Sequence, residues 1–292
     1  MAVRLALGTA QFGMDYGVTN RSGRIKDEEL ERVLLFARAR KVDTIDTAVA
    51  YGDAESRLGA LGVDDFRVVT KVPPALSSDT PASIVDAVER SLERLRLPRV
   101  HAVLLHRAED LLSETGIVVR EALSRLLSRG LTERVGVSVY RPEQLDRLDI
   151  EWNATRIELV QLPCNAFDRR MARSGWLDRL ASRGVEVHAR SAFLQGLLLA
   201  EPAQRPQWCA RWDRAFGAWD AWCEANGADR IAASLSAAFH PAVARTVVGV
   251  ESTAQFEDLV IAAARDDLPA PPRNFHVDDV HLLEPTFWPR FA

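Results

Sequence analysis

The sequence predicts an α/β protein folded as a single-domain (β/α)8 TIM barrel. Three observations point there: eight short apolar runs that read as strands, helical periodicity after most of them, and no break in composition along the 292 residues. The runs centre near Leu5, Ile45, Val68, Val103, Val135, Leu159, Val187 and Val248. Apolar residues on both sides of a strand are what burial on both faces requires. With no linker or second composition, one barrel is favoured over a doubly wound sheet.

Taken in order, RLALGT is the first strand. KDEELERVLLFARARK follows as a helix, with Leu30, Val33, Leu34 and Ala37 on one face, acids in the first turn and Arg38, Arg40 and Lys41 in the last. VDTIDT and FRVVTK are the next strands. TPASIVDAVERSLERLRLP is a helix capped by Thr80, with Pro81 at the first position, where a missing N–H costs nothing. Its Ile84, Val85, Val88, Leu92 and Leu95 point inward. HAVLLH is a strand, VVREALSRLLSRG a helix stopped at Gly130, and RVGVSV a strand. RPEQLDRL, RIELVQL, SGWLDRLASRG and VEVHAR continue the alternation. A longer insertion carries a tryptophan-rich helical stretch from Trp208 to Glu224. The helix ADRIAASLSAAF, the strand RTVVGV and the helix AQFEDLVIAAAR complete the pattern. LPAPPRNF marks the exit, and residues 270–292 form a C-terminal tail on a domain spanning 1–292.

The bulk properties narrow the function. A formal net charge of −4 with scattered basic residues excludes the clustered positive footprint of a nucleic-acid surface. MAVRLALGTAQFG is broken by Arg4 and two glycines, so neither a signal peptide nor a membrane span is expected. Cys164, Cys209 and Cys223 lack metal-ligand spacing and read as buried thiols of a reducing compartment; cytoplasm is the expected location. The histidines other than His106 are dispersed, and no metal site is expected. There is no GxGxxG after a strand, so no Rossmann cofactor domain.

Chemistry gathers at the C-terminal strand ends, where barrels carry their active sites. Strand two ends at Asp46, with Tyr51 in the loop; strands three to seven end at Lys71, His106, Ser138, Gln161 and Arg190. A phenol is a poor acid at neutral pH unless an ammonium lowers its pKa, and a carboxylate beside that ammonium keeps it charged. A histidine on the next strand can hydrogen-bond a substrate oxygen. Together these groups give a proton to, or take one from, an oxygen whose carbon undergoes another change.

These residues also carry a resemblance. TIDTAVAYGDAESRLG, then VVTK, then AVLLH resemble the aldo-keto reductase superfamily, from GTAQFG near the start to VVGVESTAQFEDL near the end. The resemblance implies an NAD(P)H-dependent oxidoreductase that interconverts a carbonyl (aldehyde, ketone or sugar) and an alcohol. It makes Tyr51 the general acid/base, Lys71 its tuning cation, Asp46 the partner of Lys71, and His106 the group that orients the carbonyl. Ser138 and Gln161 match positions that hold the nicotinamide carboxamide; Val139 stands where the family usually has Asn, so one hydrogen bond is either missing or supplied by Asn165. Arg190 replaces a stacking tyrosine, as in a bacterial branch with an Arg-Ser motif, here Arg190-Ser191. The loop through Phe193, Gln195, Gly196 and Leu197 is expected to wrap the pyrophosphate with backbone N–H groups.

After strand eight, Gly249, Ser252, Thr253 and Gln255 fall where the family binds adenosine and its phosphate. Gly249 and Gln255 stand where Lys or Arg is frequent, Leu259 replaces a frequent adenine-binding Asn, and Glu251 adds a negative charge. NADP(H) is expected ahead of NAD(H) on the resemblance, with Ser252, Thr253 and the helix N-terminus receiving the phosphate.

The partner is expected to be a small carbonyl or alcohol, contacted by Gln11, Phe12 and Tyr16, with Met14 and the tail aromatics Phe275, Phe287, Trp288 and Phe291 as further candidates. Trp208, Trp212, Trp219 and Trp222 could wall the pocket, but their spacing fits better a helix packed on the barrel. Two other functions fit the scaffold: a redox-neutral lyase or dehydratase with tightly held nicotinamide, and a non-catalytic NADP-binding subunit. The oligomeric state stays open.

Overall fold

The structure, a computed structural model, describes residues 4–149 and 155–289. Eight parallel strands close into a barrel in sequence order: β1 (Leu5–Gly8), β2 (Thr44–Asp46), β3 (Arg67–Val72), β4 (Val100–Leu105), β5 (Thr132–Ser138), β6 (Leu159–Pro163), β7 (Glu186–Arg190) and β8 (Arg245–Gly249). β8 closes on β1, pairing Gly249 with Gly8. The helices are α1 (Ala10–Gly13), α2 (Asp27–Ala39), α3 (Ala54–Leu61), α4 (Pro81–Leu95), α5 (Gly116–Ser128), α6 (Pro142–Asp149), α7 (Arg170–Arg173), α8 (Trp176–Ser182), α9 (Asp213–Ala225), α10 (Arg230–Ala238), α11 (Thr253–Ala263) and α12 (Val280–Leu283).

Local chemistry agrees with these boundaries. α4 begins with a capping box in which the Thr80 side chain accepts from Ser83 N and the Ser83 hydroxyl accepts from Thr80 N, with Pro81 at the first helical position. Its Ile84, Val85, Val88, Leu92 and Leu95 are buried in the main core. That core is the ring between helices and outward-facing strand residues. The bore holds a separate small cluster of Val69, Ala102, Leu104 and Leu159.

Below this apolar layer a polar plug closes the N-terminal end of the barrel. Glu186 accepts from Arg67 and Arg134, and His101 and His188 lie within hydrogen-bond distance of it. Burial would raise its pKa, but the bonds with the two histidines and the charge of Arg67 hold the carboxyl well below the usual carboxylate range. Two of the histidines that read as dispersed in the sequence, His101 and His188, thus converge on one carboxylate, with a structural role far from the barrel mouth.

The tryptophans of the insertion after β7 do not wall the mouth. Trp212 and Trp219 are buried in a second apolar cluster with Phe167, Phe216, Leu282, Leu283 and Trp288, and Trp208 and Trp222 pack against it. Trp219 Nε1 donates to Leu198 O at 2.9 Å and so ties α9 to the loop after β7. The tail is thereby pinned to the barrel side. Cys164, Cys209 and Cys223 are free and buried. Among the described residues, no helix is long and apolar enough to cross a membrane.

Candidate active site

The strand ends on the C-terminal face surround a cavity of about 1050 Å³. That lies at the upper end of the ~300–1,000 Å³ usual for ligand sites. Asp46, Tyr51, Lys71, His106, Ser138, Tyr140, Gln161 and Arg190 line one part of it. Another concavity, over Glu89, Leu92, Arg96 and Leu131, lies beside the chain entering β4 and β5 and gathers no comparable set of groups.

The loop that carries Tyr51 is fixed by backbone contact. Tyr51 N donates to Ala48 O, and Tyr51 O accepts from Ala54 N at the start of α3. Gly13 and Gly52 meet face to face: a Cβ on Gly13 would lie 1.7 Å from Tyr51 O, and one on Gly52 would lie 2.2 Å from Gly13 O. Gly52 also has a left-handed φ of +57°. The two glycines let α1 sit directly on the tyrosine loop, which is the physical reason for the YG pair. Glu55, one turn further, is 2% exposed; it accepts from Thr70 Oγ1 at 2.6 Å and from Arg94, locking α3 to β3 beside Lys71.

Lys71 is 1% exposed. Its Nζ donates to Asp46 Oδ2 at 2.7 Å, to Thr47 O at 3.0 Å and to Tyr51 Oη at 3.4 Å. Gln161 Nε2 donates to the other Asp46 oxygen, Oδ1, at 2.6 Å. A continuous chain therefore runs Gln161–Asp46–Lys71–Tyr51. The His106 ring meets the Tyr51 ring edge-on, centroids 6.3 Å apart.

Protonation follows from this packing. Burial pushes the Tyr51 phenol up, and the Asp46 carboxylate pushes it further, against an opposing effect of Arg190. The expected downward pull of Lys71 therefore does not win: the ammonium is already neutralised by Asp46, while desolvation of a phenolate remains. Tyr51 holds its proton at neutral pH. Burial lowers the Lys71 pKa and Asp46 opposes that. His106 is lowered to about 4 by burial, then by the charges of Lys71 and Arg190, so its imidazole is neutral.

The other expected site residues divide. Ser138, Gln161, Arg190, Ser191, Phe193, Gln195, Gly196, Gly249 and Gln255 line the cavity, as do Gln11, Met14 and Tyr16. Arg190 stacks on Tyr140 at 3.9 Å and donates to Val139 O and Ser191 Oγ, leaving one guanidinium face uncovered by Tyr140. Gln11 packs over Gly249, where a Cβ would lie 2.5 Å from its side-chain oxygen.

Several expectations need correction. Phe12 is fully buried in the main core, because α1 turns it inward and leaves Gln11 at the cavity. Leu197 is fully buried in the second cluster. The N–H groups of Gly196 and Leu197 do not point free for a pyrophosphate: they donate to Phe193 O and Leu194 O. That loop instead grips the one after β1. Gln195 Nε2 donates to Tyr16 Oη at 3.1 Å, Thr19 Oγ1 donates to Gln195 O at 3.3 Å, and a Cβ on Gly196 would lie 1.9 Å from Thr19 Oγ1.

Ser252 and Thr253 are absent from the cavity lining: Ser252 Oγ caps Gln255 N, and Thr253 N donates to Glu29 Oε1 at 2.5 Å. Asn165 does not stand in for the missing donor; it donates to Ser191 O and accepts from Phe167 N and Asp168 N. From the tail, Pro285 and Thr286 reach the cavity, whereas Phe275, Phe287 and Trp288 do not line it; Phe291 falls outside the described residues.

Sequence reasoning missed Tyr140, Thr19, Gln204 and Asp258, all lining residues. Tyr140 had a signal: it lies two residues beyond Ser138, on the same side of an extended chain. The others had none.

The aldo/keto reductase family model matches residues 4–270. The chain belongs to the aldo/keto reductase family. It is 27% identical over 207 residues to L-glyceraldehyde 3-phosphate reductase of Escherichia coli O157:H7, covering 63% of this chain and 59% of that protein. It thus spans about three-fifths of the curated relative. Among solved structures, this aldo/keto reductase is similar in fold to the holo form of an aldo-keto reductase from Bacillus halodurans: TM-score 0.71, 20% identity, 93% and 90% of the two chains. An aldo/keto reductase from Klebsiella pneumoniae, in complex with NADP and acetate, is similar with a TM-score of 0.68 and 22% identity over 90% and 87%.

Proposed function

We propose that this protein interconverts a small carbonyl compound and its alcohol with a nicotinamide dinucleotide, Tyr51 exchanging the proton at oxygen. The reading is carried by one observation: the hydrogen-bonded chain Gln161–Asp46–Lys71–Tyr51 opens on a large cavity beside a neutral His106.

The donor set suits the cofactor. Ser138 and Gln161, on adjacent strands, offer a hydroxyl and an amide to a carboxamide, and Arg190 presents a planar cation. When bound, the cofactor supplies the hydride from its nicotinamide ring. The remaining work belongs to the chain. Tyr51, protonated across the neutral range, gives its proton to the carbonyl oxygen as charge develops there. The phenolate left behind faces Lys71 Nζ, so the charge that burial penalises in the resting site is compensated when it forms. Asp46 holds Lys71 in place, and Gln161 holds Asp46. His106, neutral, can donate to the same oxygen and fix its approach. In the reverse direction the tyrosinate accepts the alcohol proton.

NADP(H) remains the form expected from the family resemblance, and the residues at the ribose end bear on that choice. The test is carbonyl-dependent loss of reduced-nicotinamide absorbance with a panel of aldehydes and ketones, small sugar-derived aldehydes first in view of the curated relative's name. Turnover with at least one member is expected. Tight nucleotide binding with no turnover on any carbonyl would contradict the reductase reading.

A further inference from the structure

Proton and hydride must reach adjacent atoms of one carbonyl, so a dinucleotide in this cavity has its nicotinamide beside Tyr51 and its adenosine at the far end. That end is lined by Arg21 and Ser22 of the loop after β1, and by Gly249, Glu251, Gln255, Asp258 and Leu259 of β8 and α11. Glu251 and Asp258 bring two carboxylates to it. Glu251 lines the cavity with Ser22 and Gln255; burial raises the pKa of its carboxyl, and Ser22 and Gln255 oppose that.

The attraction of a helix N-terminus for phosphate is in part already taken up here. Thr253 N donates to the Glu29 carboxylate, Gln255 N to Ser252 Oγ, and Glu251 N to Gln255 Oε1 at 2.8 Å. A 2′-phosphate would be a second anion on a helix start that already holds one, flanked by two more carboxylates. Among the described residues lining this end, Arg21 is the one cation; it is exposed, as is Asp258, whereas Glu251 is half-buried. A ribose diol meets the opposite circumstance: carboxylates accept hydrogen bonds from its hydroxyls.

We infer that this end of the cavity takes an adenosine ribose with free 2′- and 3′-hydroxyls and rejects a 2′-phosphate, making NAD(H) the preferred partner and NADP(H) the disfavoured one. This reverses the expectation from family resemblance, and it rests on the nicotinamide-dependent reading above. The residues fit the dinucleotide; they do not fit its phosphorylated form.

The experiment is direct titration of the protein with NADH and NADPH, read by quenching of tryptophan fluorescence, for the wild type, Glu251→Ser, Glu251→Lys and Arg21→Ala. Wild type is expected to bind NADH tenfold or more tighter, about 1.4 kcal/mol. Both Glu251 variants narrow that ratio, Lys more than Ser, and Arg21→Ala leaves it nearly unchanged. Circular dichroism and melting of each variant separate misfolding from lost selectivity, and the wild-type ratio alone decides if a variant fails to fold. NADPH binding as tight as NADH, or tighter, overturns the inference while leaving the cofactor site standing. Binding of neither nucleotide overturns both.

Discussion

Replacing Gly13 by alanine tests how Tyr51 is held. A methyl group there would lie 1.7 Å from Tyr51 O, 2.6 Å from Ala54 N and 2.9 Å from Tyr51 C. Ordinary carbon–oxygen contacts begin near ~3.3 Å, so the backbone must part by about 1.5 Å. All three atoms are main chain, and Tyr51 O is already bonded to Ala54 N. The loop cannot yield by a rotamer change. It moves as a unit with the start of α3, and the phenol leaves its 3.4 Å contact with Lys71. A displacement of about 1 Å at reacting groups costs roughly 10²-fold in rate. Overpacking of this kind costs about 1–3 kcal/mol of stability. At ~2–4 °C per kcal/mol for chains of this order, melting falls by several degrees. The assay is kcat on an aldehyde that the wild type reduces, with nucleotide affinity and melting temperature measured in parallel. Nucleotide affinity should stay nearly unchanged, because Gly13 does not line the cavity. Gly217→Ala is the control: its Cβ would meet nothing within 4 Å in α9, and it should stabilise by up to ~1 kcal/mol. Wild-type kcat and melting in Gly13→Ala would refute the account of how the loop is braced.

Two further outcomes follow from the site's charges. Asp46→Asn leaves the Lys71 ammonium buried without its counter-ion, so urea unfolding should show a loss of about 3–5 kcal/mol and activity should fall with it; retained stability would mean that Lys71 is not held as a cation by Asp46. His106 has a folded pKa of about 4 against an ordinary 6.5. Between those values the unfolded chain takes up a proton that the folded protein refuses. Its stability contribution is therefore intact above pH 6.5 and is lost as the pH falls toward 4, by about 3 kcal/mol in all. His106→Asn should lose stability less steeply over that window than the wild type, and parallel slopes would remove His106 as the cause.

The barrel was legible because the strands are short apolar runs and those from the second to the seventh carry a polar group near the end, where Asp46, Lys71, His106, Ser138, Gln161 and Arg190 fall. The Tyr51 loop was legible by its glycine, although the partner, Gly13, was not, since nothing local says that α1 folds onto it. What stayed hidden is contact between loops far apart in sequence. Thr253 meets Glu29 across 224 residues, Gln195 meets Tyr16 across 179, and Gln161 meets Asp46 across 115. Those pairings decide which N–H groups and carboxylates are free for a ligand. Phe12 and Gln11 show the other limit: in a helix as short as α1 there is too little periodicity to tell the buried side from the open one. The opposite error arose at Tyr51, where residue types suggested a lowered phenol pKa and burial reversed the sign.

The central claim is that Tyr51 supplies the proton for hydride transfer at this site. The most direct measurement is single-turnover transfer of deuterium from C4-deuterated reduced nicotinamide to an aldehyde carbon, for the wild type and Tyr51→Phe, with nucleotide affinity determined on the same samples. The account predicts label in the alcohol formed by the wild type, nearly equal nucleotide affinity in both proteins, and transfer slowed by roughly 10²–10⁴-fold in Tyr51→Phe. Transfer at close to the wild-type rate in Tyr51→Phe would contradict it.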